Sequence, residues 1–353
     1  MSKTSLTLED LGWSAFFQQQ LTLEQVEAFH AARVFAIQRT HITLMTDSGA
    51  VDVNLSGRWY QLEVEDRPTV GDWVLIAPTA QTIVCVLERK SLLKRLSPGQ
   101  TGEIQLIAAN VDTLFLVTSC NAEFSARRLE RYLALAYDAG VQPVVVLTKA
   151  DLAKDPDSFV EEVRKVRTDL VVELVNAREE ESVDSLRVWC GPGETVALLG
   201  SSGVGKSTLV NTLSAAEVQL TREIRDDDAK GRHTTSHRSL HMLPDGGLVL
   251  DSPGMRELAI AEVAGGVRRM FDDVEALAAQ CRFSDCKHDT EPGCLVRRAI
   301  DSGELDEGRL ASYLKLRREE AHNTDSIAER HPRVRDRAKM TRRVQPTPPK
   351  RGQ

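Results

Sequence analysis

One octapeptide constrains this chain more than anything else in it. Gly200-Ser201-Ser202-Gly203-Val204-Gly205-Lys206-Ser207 matches Gly-x4-Gly-Lys-[Ser/Thr] at every fixed position. Val196-Ala197-Leu198-Leu199 stands before it as a buried strand, and Ser207-Thr208-Leu209-Val210-Asn211 continues it as a helix. Strand, glycine loop and helix in that order make a cradle for phosphate. The glycines let backbone N–H groups turn inward at a helix N-terminus, whose dipole favours anions. Residues Gly200, Ser201, Ser202, Gly203, Val204, Gly205 and Thr208 are expected to line the phosphates. Lys206 is expected to neutralise β- and γ-phosphate charge, and Ser207 to ligate Mg²⁺.

The rhythm around this loop is that of a sheet covered on both faces. Strands are expected at 113–118, 144–148, 171–175, 195–199, 239–243 and 248–251, with helices at 126–139 and 206–213. At 353 residues the chain exceeds one ordinary core, and the pattern changes on either side of the α/β region. Short alternating segments at 34–37, 41–45, 51–55, 70–74 and 82–86, with turns at Asp47-Ser48-Gly49 and Ser56-Gly57-Arg58, predict a small barrel of OB type. The same strand count also fits an SH3-like barrel. Before it, residues 1–32 read as a polar extension with one amphipathic helix carrying Leu21, Leu23, Val26 and Phe29. After it, the basic stretch 88–95 reads as a linker leaving the barrel through Ser97-Pro98-Gly99. Beyond 258 the chain turns helical, with helices expected at 268–280 and 310–322. Residues 330–353 carry nine Lys/Arg against one Asp, with four prolines, the composition of a disordered basic tail. The division expected is 1–32 extension, 33–95 barrel, 105–258 α/β domain, 259–325 helical domain and 326–353 tail.

Which nucleotide the loop holds is decided elsewhere. Thr148-Lys149-Ala150-Asp151 follows an apolar strand and fits [Asn/Thr]-Lys-x-Asp. One carboxylate there accepts both N1–H and N2–H₂ of guanine, a charge-assisted pair. Adenine offers no such donors, so Asp151 would be left desolvated and unpaired against it. The stem of Lys149 would cover the base, and Asn176 or Ala177, at the end of the next strand, would offer a backbone N–H to the guanine carbonyl. Asp251-Ser252-Pro253-Gly254 fits Asp-x-x-Gly, with Asp251 holding Mg²⁺ through water and Gly254 offering its N–H to the γ-phosphate. Gly231-Arg232-His233-Thr234-Thr235 lies in a polar stretch where a threonine can close over Mg²⁺ when the γ-phosphate is present. Either Thr234 or Thr235 serves, and Thr235 is the preferred reading. Met255 stands where Ras-like enzymes have the glutamine that orients water, so slow hydrolysis by the lone chain is expected. His233 or a partner would supply the missing group.

The motifs run in a rotated order. Ordinary small GTPases place the phosphate loop first and the guanine motif last, whereas here 148–151 and 175–177 precede 200–208. Circular permutation of one sheet accounts for this. It also sends Asp-x-x-Gly almost directly into the C-terminal region.

That region holds three of the six cysteines. Cys281, Cys286, His288 and Cys294 form Cys-x4-Cys-x-His-x5-Cys, a closed Cys₃His set suited to one structural Zn²⁺. Arg282 and Lys287 are placed to offset its net charge. The other cysteines are scattered in apolar contexts, which argues against a disulfide framework. The chain is acidic overall, 45 Lys+Arg against 52 Asp+Glu, which excludes a general DNA-coating role. No apolar run reaches membrane-span length and the first residues lack a secretory pattern, so a cytoplasmic protein is expected.

Taken together, Pro68-Thr69-Val70-Gly71-Asp72-Trp73-Val74, the guanine motif ahead of Gly200–Thr208, Gly231–Thr235, Asp251–Gly254 and the cysteine cluster ending in Glu-Pro-Gly-Cys resemble the circularly permuted GTPases of the ribosome small-subunit-dependent GTPase A family (RsgA/YjeQ) over nearly the whole chain. The resemblance implies a multi-domain α/β protein: an N-terminal OB-type β-barrel, a circularly permuted Ras-like P-loop GTPase domain and a C-terminal helical zinc-binding domain. It also implies a monomeric bacterial factor that binds the small (30S) ribosomal subunit and its rRNA, is stimulated by it to hydrolyse GTP, and helps release assembly factors. Asn176 departs from the serine usual at that position. Two other functions compete: a small-molecule phosphotransferase, which ATP turnover equal to GTP turnover would favour, and a non-catalytic GTP-sensing RNA scaffold, which an absence of stimulation by any ribosomal particle would favour.

Overall fold

The computed structural model describes residues 6–38, 41–78, 82–96, 104–214, 238–251 and 264–330. Two short helices, α1 (Ala15–Gln18) and α2 (Leu23–Ala28), precede an antiparallel meander of β1 (His30–Ile37), β2 (Ile42–Thr46) and β3 (Gly49–Val53). Helix α3 (Gly57–Tyr60) leads to β4 (Trp73–Ala77), which returns to pair with the first half of β1, and β5 (Thr82–Val86) pairs with β4. A first strand shared between the second and fourth, with a helix between the third and fourth, is the OB arrangement, not the SH3-like one. Alternate residues of these strands, among them Val34, Leu44, Val74 and Ile83, close around Trp59 as a core of their own.

The α/β sheet has the spatial order β10-β9-β8-β11-β13-β12. Here β8 is Thr113–Ser119, β9 Gln142–Thr148, β10 Val171–Val175, β11 Thr195–Leu199, β12 Arg238–Met242 and β13 Leu248–Asp251. All are parallel except β12. Successive residues feed opposite faces: Leu114, Leu116, Val145 and Leu147 enter one core, while Phe115, Val117, Val144 and Val146 enter the other. Burial on both faces is why these strands read as unbroken apolar runs. Helices α4 (Ala126–Ala139), α5 (Asp157–Val166), α6 (Glu180–Arg187) and α7 (Lys206–Leu213) cover them. Ser125 caps α4, and Gly140, at φ 73°, ends it in the left-handed region.

The barrel and the α/β sheet are continuous through β1. Its start pairs with β4 at Ala31↔Leu75 and its end pairs with β12 at Ala36↔Ser239 and Ile37↔Arg238. A register shift between Val34 and Ala36 in its pairing with β2 bends the strand from one partner to the other.

Of the C-terminal helices α8 (Ala264–Met270), α9 (Asp272–Ala278), α10 (Leu295–Asp301) and α11 (Glu307–Arg330), α8 packs on α4, α9 and α11 pack on α8, and α10 packs on α9. Tyr137 of α4 lies between Arg167 and Arg269, whose guanidinium carbons are 5.6 and 5.3 Å from its ring centre. Arg309 of α11 donates to Val166 O, to Met270 O and to the Asp273 carboxylate, tying α5, α8, α9 and α11 together.

Four expectations are corrected. The amphipathic helix near residue 25 exists, with Thr22 and Gln25 forming a capping box, but Leu23 is 85% and Val26 48% exposed. The N-terminal segment is held instead by Leu11 and Phe17, both buried, with the Phe17 ring against Trp73. The strand read at 70–74 starts at Trp73: Gly71 adopts φ 89°, and Asp72 Oδ2 accepts from Thr69 N at 2.7 Å, closing a turn. The stretch 88–95 is not wholly a linker, because β6 (Leu92–Leu96) pairs antiparallel with β7 (Ile104–Ala109). Ser97, Pro98 and Gly99 lie outside the described residues. The helix read at 268–280 is two, interrupted at Phe271, whose ψ of 40° leaves the helical region so that its ring can be buried against Tyr313.

Candidate nucleotide site and cysteine cluster

Strands β9 and β11 flank β8, so their C-terminal ends open onto one edge of the sheet, where ligands of parallel sheets bind. The segments 148–151 and 200–207, which the permuted order separates, meet there. Thr148 Oγ1 lies 2.5 Å from Val204 O and 3.1 Å from Thr118 O. Lys149, held at φ 57°, reaches back so that Nζ donates to Gly203 O at 2.8 Å. Asp151 follows in an exposed 3-10 turn, Ala150–Leu152.

The loop's glycines are required by geometry. Gly203 and Gly205 have φ 78° and 101°. A Cβ on Gly200 would stand 2.2 Å from Val117 O. Lys206 opens α7 and folds over the loop, with Nζ 2.6 Å from both Gly200 O and Ser201 O. Ser202 and Ser207 are exposed at the mouth, and Thr208 is half-buried behind them.

On the next strand, Asn176 N–H donates to Ser182 Oγ at 2.7 Å, so it is already engaged. Ala177 is buried, and its carbonyl accepts from Thr212 Oγ1 of α7 at 2.7 Å. Asp251 closes β13, the strand beside β11, and is half-buried. His233, Thr234, Thr235, Gly254 and Met255 lie outside the described residues, as do residues 331–353 of the basic tail.

One residue of this neighbourhood belongs to no motif. Arg128, in the first turn of α4, donates through one Nη to Ser201 Oγ at 2.5 Å. Seventy-three positions separate the two, and no local pattern announces the pairing.

Cys281, Cys286, His288 and Cys294 bring one ligand atom each within 4.8 Å of one another. Cys281 Sγ is 3.9 Å from Cys294 Sγ, and His288 Nδ1 is 3.7 and 3.5 Å from the Cys281 and Cys294 sulfurs. Tetrahedral Zn²⁺ with ordinary Zn–S and Zn–N lengths requires edges of about 3.8 and 3.5 Å. The three distances among Cys281, His288 and Cys294 match those edges, and with Cys286 Sγ within 4.8 Å of them the donor set fits the ion. Burial pushes the His288 imidazole below its ordinary pKa, toward the neutral form that ligates metal. His288, at φ 60°, and Gly293, at φ 81°, make the sharp turns that bring the ligands together. Cys294 caps α10, with its sulfur accepting from Arg297 N, and Arg297 Nε donates to His288 O at 2.8 Å. Glu291 braces the loop from outside, its two oxygens accepting from Lys287 N and Asp289 N at 2.8 and 2.9 Å. Those backbone donors hold its carboxyl down to about 2.

Comparison with known proteins agrees with this geometry. Residues 86–261 match the family model for the RsgA GTPase. A Vibrio parahaemolyticus protein named small ribosomal subunit biogenesis GTPase RsgA 2 is 48% identical over 350 residues, covering 99% of this chain and 96% of its own. A Mesorhizobium japonicum protein, small ribosomal subunit biogenesis GTPase RsgA, is 46% identical over 327 residues, covering 92% of this chain and 93% of its own. Among solved structures, YjeQ from Thermotoga maritima is 27% identical with a TM-score of 0.61, over 82% of this chain and 97% of that one. The fold is also that of YloQ, a circularly permuted GTPase, at a TM-score of 0.57 and 24% identity over 81% of this chain and 93% of that one. The rotated motif order, a phosphate loop joined to 148–151 across β8 and relatives matched along almost their full length lead to one conclusion: the chain belongs to the RsgA family of circularly permuted GTPases.

Proposed function

We propose that this chain hydrolyses GTP in the service of small-subunit maturation, binding the 30S subunit and its rRNA and turning over when bound. The observation that supports this most directly is the pair of bonds from Thr148 to Val204 O and from Lys149 to Gly203 O, which fasten a guanine-selective segment to a triphosphate cradle. A small-molecule phosphotransferase has no use for that coupling.

Roles follow by chemistry. Asp151 accepts from guanine N1–H and N2–H₂, Lys149 covers the base with its stem, and Ala177 N–H takes the guanine carbonyl. The loop N–H groups and Lys206 hold the β- and γ-phosphates. Mg²⁺, bound with GTP, would offset charge on the γ-phosphate, and Ser207, Thr235 and, through water, Asp251 would hold it. Gly254 would offer its N–H to the γ-phosphate, and His233 or a group of the subunit would orient the attacking water. The Cys281, Cys286, His288 and Cys294 set would hold one structural Zn²⁺ and so pin the loop between α9 and α10. The division proposed is an OB barrel over 33–95, a GTPase domain over 105–258 and a zinc domain over 259–325, between an extension and a basic tail. The protein acts as a cytoplasmic monomer and aids release of assembly factors.

The test is GTP hydrolysis with and without purified small subunits, with Lys206→Ala as the blank. Slow turnover alone and a marked rise on adding subunits are expected. Equal rates with and without them, or ATP turnover matching GTP, would overturn the reading.

A further inference from the structure

A cleft of about 220 Å³ opens between the first turn of α4 and the middle of α11, on the flank of the phosphate loop. Its walls carry Arg127, Arg128, Arg131 and Lys315 against two carboxylates, Glu130 and Glu319. In a chain with more acidic than basic residues, such a concentration of cations is a local departure. Glu319 is already engaged, accepting from Arg131 at 2.6 and 2.7 Å. Glu130 is 8% exposed, and burial pushes its carboxyl above the ordinary range. Arg127 and Lys315 stand exposed at the rim. The one large apolar side chain in the lining is Leu316, so nothing in the cleft invites a base or an apolar anchor. The chain's own tail is cationic and is the wrong charge to fill it. What such walls recognise is a phosphate backbone.

The cleft does not end blind. A small annex shares Ser125 and Arg128 with it and is closed by Ser201 of the phosphate loop. Arg128 spans the two, lining the cleft while donating to Ser201 Oγ. A guanidinium has five donors and a strong preference for phosphate oxygen over a neutral hydroxyl. An anion in the cleft therefore competes with Ser201 for Arg128.

We propose that the cleft between α4 and α11 is a docking site for an RNA phosphodiester, and that Arg128 reports its occupation to the phosphate loop. This rests on the small-subunit-dependent reading above and gives it a physical route: a backbone phosphate held by Arg127 and Lys315 draws Arg128 away from Ser201 and frees the loop for its catalytic arrangement. Arg128 is a positioning residue, since it acts through Ser201.

The experiment compares the full chain with Arg127→Glu/Lys315→Glu, its conservative counterpart Arg127→Lys/Lys315→Arg, and Arg128→Ala. Each is titrated with a short oligouridylate over a range of salt concentrations, and each is assayed for the ratio of subunit-stimulated to basal GTP hydrolysis. Charge reversal is expected to weaken oligouridylate affinity about ten-fold and to lower the salt slope by about two. It should also reduce the stimulation ratio, and the conservative pair should restore both. Arg128→Ala should raise basal hydrolysis toward the stimulated rate, so that the ratio falls, while keeping most RNA affinity. Unchanged affinity and salt slope in the charge-reversed chain would overturn the site. If stimulation falls while RNA affinity holds, the occupant is an acidic protein segment and the proposal fails. If Arg128→Ala is stimulated as the wild type is, the link to the loop is wrong. A wild-type chain that subunits do not stimulate sinks the proposed function and the Arg128 link, while the oligouridylate titration still judges the cleft on its own.

Discussion

At the scale of single residues, the site is built from groups whose neighbours decide their chemistry. Asp151 offers two oxygens at the end of an exposed turn, and its value lies in being a carboxylate. Asp151→Asn replaces a charge-assisted pair with one matched donor and one clash. GTP affinity is expected to drop on the order of 100-fold, with a gain for xanthosine triphosphate, whose C2 oxygen replaces the amine. Competition binding with the two nucleotides reads this, and an unchanged preference would mean that guanine is held elsewhere. Glu291 makes a prediction of a different kind. Its carboxyl is depressed from 4.5 to about 2 by the N–H groups of Lys287 and Asp289. A depressed acid stabilises the loop fully above its ordinary pKa and loses that contribution as the pH falls toward the depressed one. Glu291→Gln should therefore lower zinc retention against a chelator about ten-fold at neutral pH. The gap from wild type should narrow below about pH 4.5. Metal analysis of the intact chain should find one zinc, lost on Cys294→Ser.

Between elements, the sharpest constraint is where α8 crosses α4. Gly266 approaches so closely that a Cβ there would stand 1.9 Å from Ala134 O and 2.9 Å from Asp138 Cβ. Neither the Ala134 carbonyl nor the α4 backbone can yield without unwinding a turn. Gly266→Ala is expected to cost about 1–3 kcal/mol and to lower the thermal midpoint. A neutral result would mean that the helices slide freely. Sequence could place α4 by its apolar stripe and caps, but not α8, because Ala264–Met270 is short and its partner lies 130 residues earlier. Strands β6 and β7 were illegible for a related reason. Leu92-Leu93-Lys94-Arg95-Leu96 looks like a charged connector until Ile104–Ala109 pairs with it.

Across the whole molecule, Arg33 marks how barrel, N-terminal segment and GTPase sheet become one body. It is 1% exposed, and it donates to Leu11 O at 2.5 Å, Asn110 O at 2.9 Å and Gly71 O at 3.3 Å. Burial draws its pKa down to about 10, and it still carries its charge at any physiological pH. Beside it, Asp72 receives Arg89 through Nε at 2.7 Å and Nη2 at 2.8 Å. Arg33→Met leaves three buried carbonyls without that donor and should cost on the order of 3 kcal/mol. Denaturation followed by tryptophan fluorescence and by far-ultraviolet circular dichroism should then separate into two transitions. A loss under about 1 kcal/mol with coincident curves would show that the β1–β12 pairing alone unites the parts.

What the amino-acid sequence determined by itself was chemistry carried by neighbours in the chain. The cradle at 200–207, the carboxylate two residues past Lys149 and the soft ligands between 281 and 294 are each encoded within fourteen residues or fewer, at spacings that local backbone geometry satisfies. Tertiary structure alone decided which of these pieces meet. Thr148 reaches Val204 across 56 positions, Arg128 reaches Ser201 across 73 and Arg33 reaches Asn110 across 77. Such pairs leave no periodic trace, because a buried polar group needs only a partner of the right type nearby, and the packing of the sheet chooses where along the chain that partner comes from.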